Sequence, residues 1–302
     1  MEIGIVGLGR MGANISNRLV KGGHRVVGYD RSDEVANRLK STGIEESTSL
    51  NDLVDQLAPP QIIWLMIPAG EAVDTAIDEL IPLVPKSAIF IDGGNSNYKD
   101  TLRRHAKLSK SSIFFIDVGT SGGLSGGQFG YCMMIGGDTS PIERLRPIFE
   151  TLAPEVNKGW ARVGPAGAGH FVKMIHNGIE YGMMQAYAEG FSLLREKKEF
   201  NLDLEKIAQL WNHGSLVRSW LLDLVGKTLS KDQDLNLIGA HVEDSGEGRW
   251  ALQEAVDLNV AAPIITLSLL ARLQSRDPKA FSNKLLAALR QEFGGHDVLP
   301  GE

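Results

Sequence analysis

Residues 3–14 read IGIVGLGRMGAN, a β-branched apolar run followed by a Gly-x-Gly-x-x-Gly turn. In such a turn Gly7 permits the tight bend, Gly9 lets the backbone approach a pyrophosphate, and Gly12 lets helix and strand pack closely. The N-terminus of the following helix offers unpaired N–H groups and a positive dipole end to the phosphates. The stretch therefore predicts a strand, a phosphate-binding turn and a helix of a dinucleotide-binding fold.

A carboxylate ends the second predicted strand. Asp30 lies 18 residues after Gly12 in the sequence. In dinucleotide-binding folds, an acidic residue about 20 residues after the turn accepts a hydrogen bond from the ribose 2′-hydroxyl of NAD. The charge of Asp30 would repel the 2′-phosphate of NADP, an effect that the adjacent Arg31 partly offsets. We expect NAD as cofactor, with NADP second, and the alternative is a glycine turn that binds no dinucleotide. The residues expected to bind the cofactor are Gly7, Leu8, Gly9, Met11, Gly12, Asp30, Arg31 and Asn95.

Strand patterns recur through the first half of the chain, with helical stretches between them. They lie at residues 3–6, 25–29, 62–67, 88–91 and 114–118. Strands that alternate with helices form right-handed βαβ units and a parallel sheet. From Ala168 onward the apolar period is near 3.6, which predicts helices at 171–196, 204–211, 220–228, 250–258, 263–274 and 279–293. The predicted fold is α/β, with a Rossmann-type doubly wound parallel sheet over residues 1–165 and an all-α domain over residues 166–302.

Composition excludes several other classes of protein. The formal net charge is −6 over 302 residues, whereas nucleic-acid binders normally carry a basic surplus. The single Cys132 cannot form an internal disulfide and favours a reducing compartment. The longest apolar run, 260–271, is too short for a membrane span. We therefore expect a cytoplasmic protein that binds neither nucleic acid nor membranes.

Two glycine-rich turns are candidates for substrate binding. Residues 119–137 contain eight glycines but lack the Gly-Lys-Ser/Thr ending of a nucleoside triphosphate loop. The segment follows a strand at the carboxyl edge of the sheet, where α/β folds bind ligands. Here Ser121, Gly122 and Gly123 would donate to a small anionic substrate, although a flexible turn between strands is the alternative. In residues 92–96, Asn95 is placed to touch both nicotinamide and substrate, or is a simple turn residue.

A polar stripe runs along the next predicted helix, residues 167–181, GAGHFVKMIHNGIEY. At about 100° per residue, four of its polar side chains fall within an arc of about 100°, namely Lys173, His176, Asn177 and Glu180. Tyr181 lies about 40° beyond Asn177, at the edge of this stripe. Because the stripe lacks the surplus lysines and glutamates of a solvated helix, we expect a ligand to satisfy it, the alternative being a solvated or internally paired stripe.

The stripe offers acid–base chemistry. Desolvation lowers the pKa of a lysine amine and makes it a base, and a nearby glutamate can hold and return a proton. We interpret His176 as a hydrogen-bonding partner of substrate, because no cysteine or second histidine stands at metal-ligand spacing. The sequence predicts no metal site.

Together these strings resemble the 6-phosphogluconate dehydrogenase family, in its short, NAD-preferring, decarboxylating branch. The strings that match are residues 7–14, 91–96, 121–123 and 170–181, and the resemblance extends from residue 4 to residue 296. It implies that Lys173 is the catalytic lysine and Glu180 the proton donor. The substrate contacts that it implies are Asn95, Ser121, Gly122, Gly123, His176, Asn177 and Tyr181.

The resemblance also implies a phosphate site and an oligomer. Gly248-Arg249-Trp250 resembles a Gly-Lys-Trp string whose lysine binds phosphate, and Arg272 resembles a phosphate-binding arginine. Arg290 and His296 resemble a tail that reaches the neighbouring subunit's site in a homodimer or homotetramer. The helical half would then bind substrate and dimerise, but a surface cation is the alternative for each position, above all for Arg249.

The implied reaction converts 6-phosphogluconate, a phosphorylated sugar acid, to ribulose 5-phosphate and CO2, with hydride transfer to NAD. Such a reaction serves the oxidative pentose phosphate pathway or gluconate use. It needs no metal, because a β-keto acid loses CO2 once its carbonyl is polarised. One alternative is a non-decarboxylating β-hydroxyacid dehydrogenase of the 3-hydroxyisobutyrate type. Another is a non-catalytic, NAD-sensing dimer.

Overall fold

The computed structural model of the chain describes residues 1–32, 34–35, 42–277 and 280–294, with the side chains at 290 and 292–294 left out. The chain divides into two compact units, Met1–His176 and Asn177–Glu302. The division falls within one long helix, Ala168–Glu196. The domain limits expected from the sequence, 1–165 and 166–302, stay a prediction.

One sheet organises the first unit. Its strands are β1 (Glu2–Val6), β2 (Arg25–Tyr29), β3 (Glu45–Glu46), β4 (Ile62–Leu65), β5 (Ile89–Asp92), β6 (Phe114–Ser121), β7 (Cys132–Gly136) and β8 (Trp160–Gly164). Their order among the described residues is β3-β2-β1-β4-β5-β6-β7-β8. Pairing is parallel from β3 to β6 and between β7 and β8, whereas β6 and β7 are antiparallel. The predicted Rossmann-type sheet is confirmed, with an antiparallel step that the sequence did not predict.

Helices connect these strands and make up the second unit. The first unit contains α1 (Arg10–Lys21), α2 (Leu50–Asp55), α3 (Glu71–Leu80), α4 (Tyr98–Lys110), α5 (Gly126–Phe129), α6 (Thr139–Arg144) and α7 (Arg146–Leu152). Helix α8 (Ala168–Glu196) is followed by α9 (Leu204–Trp211), α10 (Trp220–Leu229), α11 (Glu247–Asp257), α12 (Pro263–Gln274) and α13 (Phe281–Gly294). The predicted all-α part is confirmed. Within the described ranges, every helix is too short or too polar to span a bilayer.

The sheet carries a core on each of its faces. Successive strand residues point to opposite faces, so Ile5 and its partner Trp64 enter one cluster while the next pair, Val6 and Leu65, enters the other. All four side chains are buried. A separate small core in the second unit is built around Phe191.

A buried carboxylate fixes the start of α8 on the sheet. Asp117 lies in β6 and is fully buried. Its two oxygens accept from the backbone N–H groups of Gly167 at 2.8 Å and His170 at 2.9 Å. The first N–H groups of a helix have no intrahelical partner and carry partial positive charge, so a carboxylate is favourable there. Asp117 therefore caps the helix from inside the sheet.

Three glycines let the helix approach this closely. A Cβ on Gly169 would lie 2.5 Å from the carbonyl oxygen of Met134 and 2.6 Å from that of Asp117. A Cβ on Gly119 would lie 2.7 Å from the carbonyl oxygen of Gly169, and a Cβ on Gly136 would lie 2.7 Å from the backbone nitrogen of Gly169. Since these neighbours are backbone atoms, they cannot move aside as flexible side-chain ends do. The strands and the helix touch main chain to main chain.

We expect Gly169→Ala to lower the free energy of unfolding by about 1–3 kcal/mol, because the new methyl group overpacks rigid backbone. The matched control is Gly190→Ala on the same helix, where a Cβ would meet nothing within 4 Å. Removing a glycine from a helix interior is expected to raise stability there by about 0.5–1 kcal/mol.

Thermal and denaturant unfolding of the two variants measure the difference. Equal effects of both substitutions would contradict the close contact between α8 and the sheet.

Candidate active site

The Gly-x-Gly-x-x-Gly turn lies at the carboxyl end of β1 and leaves room beside it. Gly7 has a φ of +95°, a conformation that favours glycine. A Cβ on Gly12 would overlap the carbonyl oxygen of Gly7, whereas one on Gly9 would meet nothing within 4 Å. Helix α1 begins after Gly9 without a side-chain cap, which leaves its first N–H groups for an anion. These features fit the pyrophosphate of a dinucleotide.

The carboxylate of Asp30 is fixed beside this turn. Its Oδ2 accepts from the backbone N–H of Leu8 at 2.7 Å, and its Oδ1 from that of Ser32 at 2.9 Å. A carboxylate offers about four lone-pair sites, so it has further capacity for a ribose hydroxyl. Arg31 is exposed next to it. The side chain of Leu8 is buried in the core, so this residue offers a cofactor its backbone atoms, whereas Met11 is partly buried against the core.

Asn95 lies in the turn after β5 and docks its side chain on β6. Its φ is +52°, a left-handed conformation that asparagine tolerates better than most residues. Its Oδ1 accepts from the N–H of Thr120 at 3.0 Å, and its Nδ2 donates to the carbonyl of Thr120 at 3.4 Å. An amide nitrogen carries two hydrogens, so this pairing still leaves a donor for a ligand.

Polar contacts join the end of β6 to α8. The Oγ of Ser121 lies 3.4 Å from Nε2 of His176, whose Nδ1 lies 3.4 Å from Nζ of Lys173. Lys173 is only 5% exposed, so its side chain is largely removed from water, and its amine lies next to the His176 ring. The structure thus brings Lys173, His176 and Ser121 together. Asn95 lies close to them, because it bonds to Thr120, the strand residue next to Ser121.

The glycine-rich segment forms turns and a strand. Gly122 and Gly123 have φ angles of +121° and +51°, and a short 3-10 turn, α5 and β7 follow. A Cβ on Gly126 would overlap the ring of Tyr131, which is buried beneath the segment. A Cβ on Gly123 would meet nothing within 4 Å. There is therefore open space beside Gly123, whose substrate contact stays a prediction.

In the second unit, an arginine stacks on a buried tyrosine. The guanidinium carbon of Arg272 lies 3.5 Å from the ring centroid of Tyr181, a cation–π contact. The hydroxyl of Tyr181 accepts from the N–H of Ser245 at 3.2 Å, and Nη1 of Arg272 donates to the carbonyl of Glu243 at 3.0 Å. Tyr181 and Arg272, both expected from the resemblance to bind substrate, are direct neighbours.

Arg249 is paired with a carboxylate that the sequence analysis did not identify. Its Nε and Nη2 donate to the two oxygens of Asp244 at 3.0 Å and 3.1 Å. Arg276 donates to the same side chain at 2.7 Å. The Arg249 guanidinium, with Arg276 beside it, holds the pKa of Asp244 below its usual value. A phosphate bound by Arg249 would therefore share this guanidinium with Asp244.

The other predicted substrate residues are placed as follows. Asn177 and Glu180 lie half-buried on α8. Arg290 lies in α13, but its side chain is outside the described residues, as is all of His296. Among the residues that the structure describes, no three His, Cys, Asp or Glu side chains cluster in a way that could hold a metal ion.

Sequence reasoning missed several buried polar residues around the site. Asp92, Arg104, Asp117 and His170 are at most 1% exposed. His170 bridges two elements, since its Nδ1 lies 2.7 Å from Oγ1 of Thr101 and its Nε2 lies 3.1 Å from the carbonyl oxygen of Asp92. The signal was present for the two aspartates, because Asp92 ends an apolar strand run and Asp117 interrupts one, and a charge in either position needs a partner.

Family models match both halves of the chain. The NAD binding domain of 6-phosphogluconate dehydrogenase matches residues 2–160, and the C-terminal domain of 6-phosphogluconate dehydrogenase matches residues 169–297. The Bacillus subtilis protein YqeC, which carries a provisional 6-phosphogluconate dehydrogenase name, is 45% identical over 98% of this chain and 98% of its own. An NAD(+)-dependent, decarboxylating 6-phosphogluconate dehydrogenase from Haloferax volcanii is 41% identical over 99% of this chain and 98% of its own.

Solved structures share the fold. Plasmodium falciparum 6-phosphogluconate dehydrogenase, described in its apo form, with its cofactor NADP+ and with its substrate 6-phosphogluconate, has a TM-score of 0.83 at 28% identity. That match covers 100% of this chain and 66% of the other. Mycobacterium tuberculosis 3-hydroxyisobutyrate dehydrogenase has a TM-score of 0.72 at 24% identity over 88% of this chain and 90% of its own, a likeness of fold alone.

The Rossmann-type sheet and the glycine turn, together with the match to an NAD-binding domain, indicate a nicotinamide dinucleotide-dependent dehydrogenase. With both family models matched along nearly its whole length, the chain belongs to the 6-phosphogluconate dehydrogenase family.

Proposed function

We propose that the protein oxidises and decarboxylates 6-phosphogluconate to ribulose 5-phosphate and CO2, with NAD preferred over NADP as the hydride acceptor. The observation that carries the proposal is the buried Lys173 amine, joined through His176 to Ser121 at the carboxyl end of β6. The names of the Haloferax and Plasmodium relatives support the substrate. The resemblance of residues 170–181 supports the decarboxylating chemistry.

The first unit would hold the cofactor. When bound, the nicotinamide supplies the hydride acceptor. The backbone of residues 7–12 would bind the pyrophosphate at the start of α1, and Asp30 would accept from the ribose hydroxyls while its charge disfavours a 2′-phosphate. Asn95 would orient the substrate hydroxyl toward the nicotinamide with the Nδ2 hydrogen that its pairing to Thr120 leaves.

Residues of α8 would carry out the proton transfers of the reaction. Lys173 would take the proton from the C3 hydroxyl as hydride leaves C3, and would return it to the C3 oxygen as CO2 departs. Glu180 would then protonate C1 of the resulting enediol, the carbon that carried the carboxylate, while Lys173 would take the proton of the C2 hydroxyl, which gives the ketone of ribulose 5-phosphate. On a continuous helix, residues two turns apart share a face, and α8 runs unbroken from Ala168 to Glu196. Ser121, Gly122, Gly123, His176 and Asn177 would bind the rest of the sugar acid.

The phosphate would be bound by the cations of the second unit. Arg272 is held by its stack on Tyr181 and its bond to Glu243, which orients a rigid donor fork suited to phosphate. Arg249 would share its guanidinium between Asp244 and the phosphate. Arg290 and His296 would complete the site from a neighbouring copy of the chain.

We propose a homodimer or homotetramer in the cytoplasm. Large apolar side chains are strongly exposed in the second unit, among them Leu193, Leu216, Leu237, Ile264 and Phe281. Exposed apolar surface of this kind marks interaction sites. Size-exclusion chromatography with light scattering measures the assembly, and a monomer would contradict it.

The direct test is a steady-state assay of 6-phosphogluconate with NAD and with NADP in parallel, with 3-hydroxyisobutyrate as the competing substrate and CO2 release measured. We expect turnover with 6-phosphogluconate, a higher kcat/KM with NAD, and one CO2 per reduced cofactor. Reduced cofactor without CO2, or turnover of 3-hydroxyisobutyrate in place of the sugar acid, would favour the non-decarboxylating alternative. Absence of turnover with a panel of sugar acids would favour an NAD-sensing protein.

Lys173→Met is expected to lower kcat by at least about 10²–10⁴-fold, the effect of losing a general base. Methionine has a similar volume and should keep the helix packed, so NAD binding by calorimetry is expected to stay unchanged. The control is Lys197→Met, since Lys197 pairs with Glu199 on the exposed surface. Near-normal turnover of the Lys173 variant would reject its role.

Asp30→Asn is expected to shift cofactor choice toward NADP. A unit charge about 4 Å from a phosphate contributes about 1–4 kcal/mol, so the ratio of kcat/KM for NADP to that for NAD should rise by about 10-fold to 10³-fold. The control is Asp55→Asn, because Asp55 lies on α2 and bonds to Asn51. An unchanged ratio would show that Asp30 does not select the cofactor.

Arg272→Met is expected to raise KM for 6-phosphogluconate by about 10-fold to 100-fold, the equivalent of a lost charge-assisted hydrogen bond. KM for NAD should stay within about twofold of wild type. Arg195→Met is the control in the same unit, since its pair with Asp234 is exposed and worth little. If KM for 6-phosphogluconate is the same in the wild type and in the Arg272 variant, Arg272 does not bind the phosphate.

A further inference from the structure

A fully buried arginine lies beneath the turn that carries Asn95. Arg104, on α4, is 0% exposed, as is Asp92 at the end of β5. Its Nη1 donates to Oδ2 of Asp92 at 3.3 Å and to Oγ of Ser96 at 3.2 Å. Its Nε and Nη2 donate to the two oxygens of Asp74 at 3.0 Å and 3.1 Å, and Nη2 also donates to the carbonyl of Gly70 at 2.8 Å. All five N–H donors of the guanidinium thus have acceptors.

The same aspartate and serine bracket Asn95. Asp92 accepts from the N–H of Gly94 at 3.1 Å through Oδ1 and from the hydroxyl of Ser96 at 2.8 Å through Oδ2. The residues before and after Asn95 are therefore tied to one carboxylate. Arg104 holds that carboxylate and the serine at once.

Two glycines of the turn lie close against the ends of the sheet. A Cβ on Gly93 would overlap the indole nitrogen of Trp64, and one on Gly94 would lie 2.6 Å from the carbonyl oxygen of Ile67. The backbone is thus pressed against the ends of the sheet. Within it, Asn95 keeps a φ of +52°, a conformation that costs free energy and persists only when the surroundings enforce it.

The network is costly to bury for stability alone. Taking a guanidinium and a carboxylate out of water costs several kcal/mol per ion, and apolar side chains of equal volume often stabilise a protein as well or better. Asp74 supplies a second, partly exposed carboxylate, whose pKa the Arg104 guanidinium holds well below its usual value, with Arg103 adding to the effect. What the buried ions add is a fixed direction for each hydrogen bond at the Asn95 turn.

We propose that Arg104, Asp92 and Ser96 are positioning residues that hold Asn95 in its left-handed conformation, paired with Thr120, so that its remaining amide hydrogen meets the substrate. None of the three touches substrate or cofactor in this role. The role in turnover rests on the proposed function, whereas the conformational effect on Asn95 does not. Loss of the network should therefore misplace one catalytic amide without disturbing the pyrophosphate turn.

The experiment compares two variants of the network with two matched controls. Ser96→Ala removes one hydroxyl, and Ser16→Ala is its control because the Ser16 hydroxyl is buried without a hydrogen-bond partner. Arg104→Lys keeps the charge but cannot reach Asp74, Asp92 and Ser96 together. Arg103→Lys is its control, since Arg103 binds Asp74 and Asp100 but neither Asp92 nor Ser96.

Two readouts are measured on the full chain, with thermal unfolding to verify folding. The first readout is a pair of kinetic constants, kcat with 6-phosphogluconate and KM for NAD, which shows whether turnover changes while cofactor binding does not. The second is hydrogen exchange of the Thr120 amide, which reports its bond to Asn95 and needs no turnover. In Ser96→Ala and Arg104→Lys we expect kcat to fall by about 10-fold to 100-fold, as for a misplaced catalytic group. We expect Thr120 to exchange at least about tenfold faster, with KM for NAD and both controls unchanged.

The outcomes separate the two proposals. Unchanged Thr120 exchange and unchanged kcat in Ser96→Ala, a variant that should stay folded, would overturn the positioning role. A fall in thermal stability without either change would overturn it as well, because the network would then be structural alone. If the wild type itself does not turn over 6-phosphogluconate, the proposed function fails, and Thr120 exchange still decides whether the network holds Asn95.

Discussion

The site depends on one interaction, the pair of hydrogen bonds from the backbone N–H groups of Gly167 and His170 to the carboxylate of Asp117. This carboxylate is a charge inside a sheet, and it is tolerated there because the first N–H groups of α8 donate to it. The two bonds place the start of the helix against β6 and β7, at a distance that glycines 119, 136 and 169 permit. Lys173, a little more than one turn along, has its side chain packed on Gly119 as a consequence. The position of the predicted base is thus set by main-chain packing.

The same principle recurs on the neighbouring strand. Asp92 ends β5 as Asp117 interrupts β6, and both carboxylates are fully buried with a hydrogen bond to each oxygen. One fixes the helix that carries Lys173, and the other binds the turn that carries Asn95. His170 connects the two, because its N–H bonds to Asp117 and its ring to the carbonyl of Asp92. Two buried carboxylates therefore hold the proposed reactive groups at the carboxyl edge of the sheet, where α/β folds bind ligands.

The sequence was informative where local physics decides the structure. The glycine turn, the parallel strands and the helical second half follow from turn chemistry and apolar period, and the structure confirms them. The sequence did not predict β7, which lies inside the glycine-rich segment. Glycine weakens a strand pattern, although the close approach of α8 requires a glycine at position 136 of this strand. The charge of Asp117 stands out within an apolar strand, but its role could not be predicted, because its partners are backbone N–H groups that no side-chain pattern reveals. The pairing of Arg249 with Asp244 was equally invisible, since it depends on the loop before α11.

The most direct test of the account is a crystal structure of the protein with NAD and 6-phosphogluconate bound. The account predicts Nζ of Lys173 within about 2.6–3.2 Å of the C3 oxygen of the sugar acid, the reach of a general base. It also predicts that the bonds from Gly167 and His170 to Asp117 are retained. A sugar acid bound away from Lys173, or a lysine turned from C3 while the helix cap is intact, would contradict it.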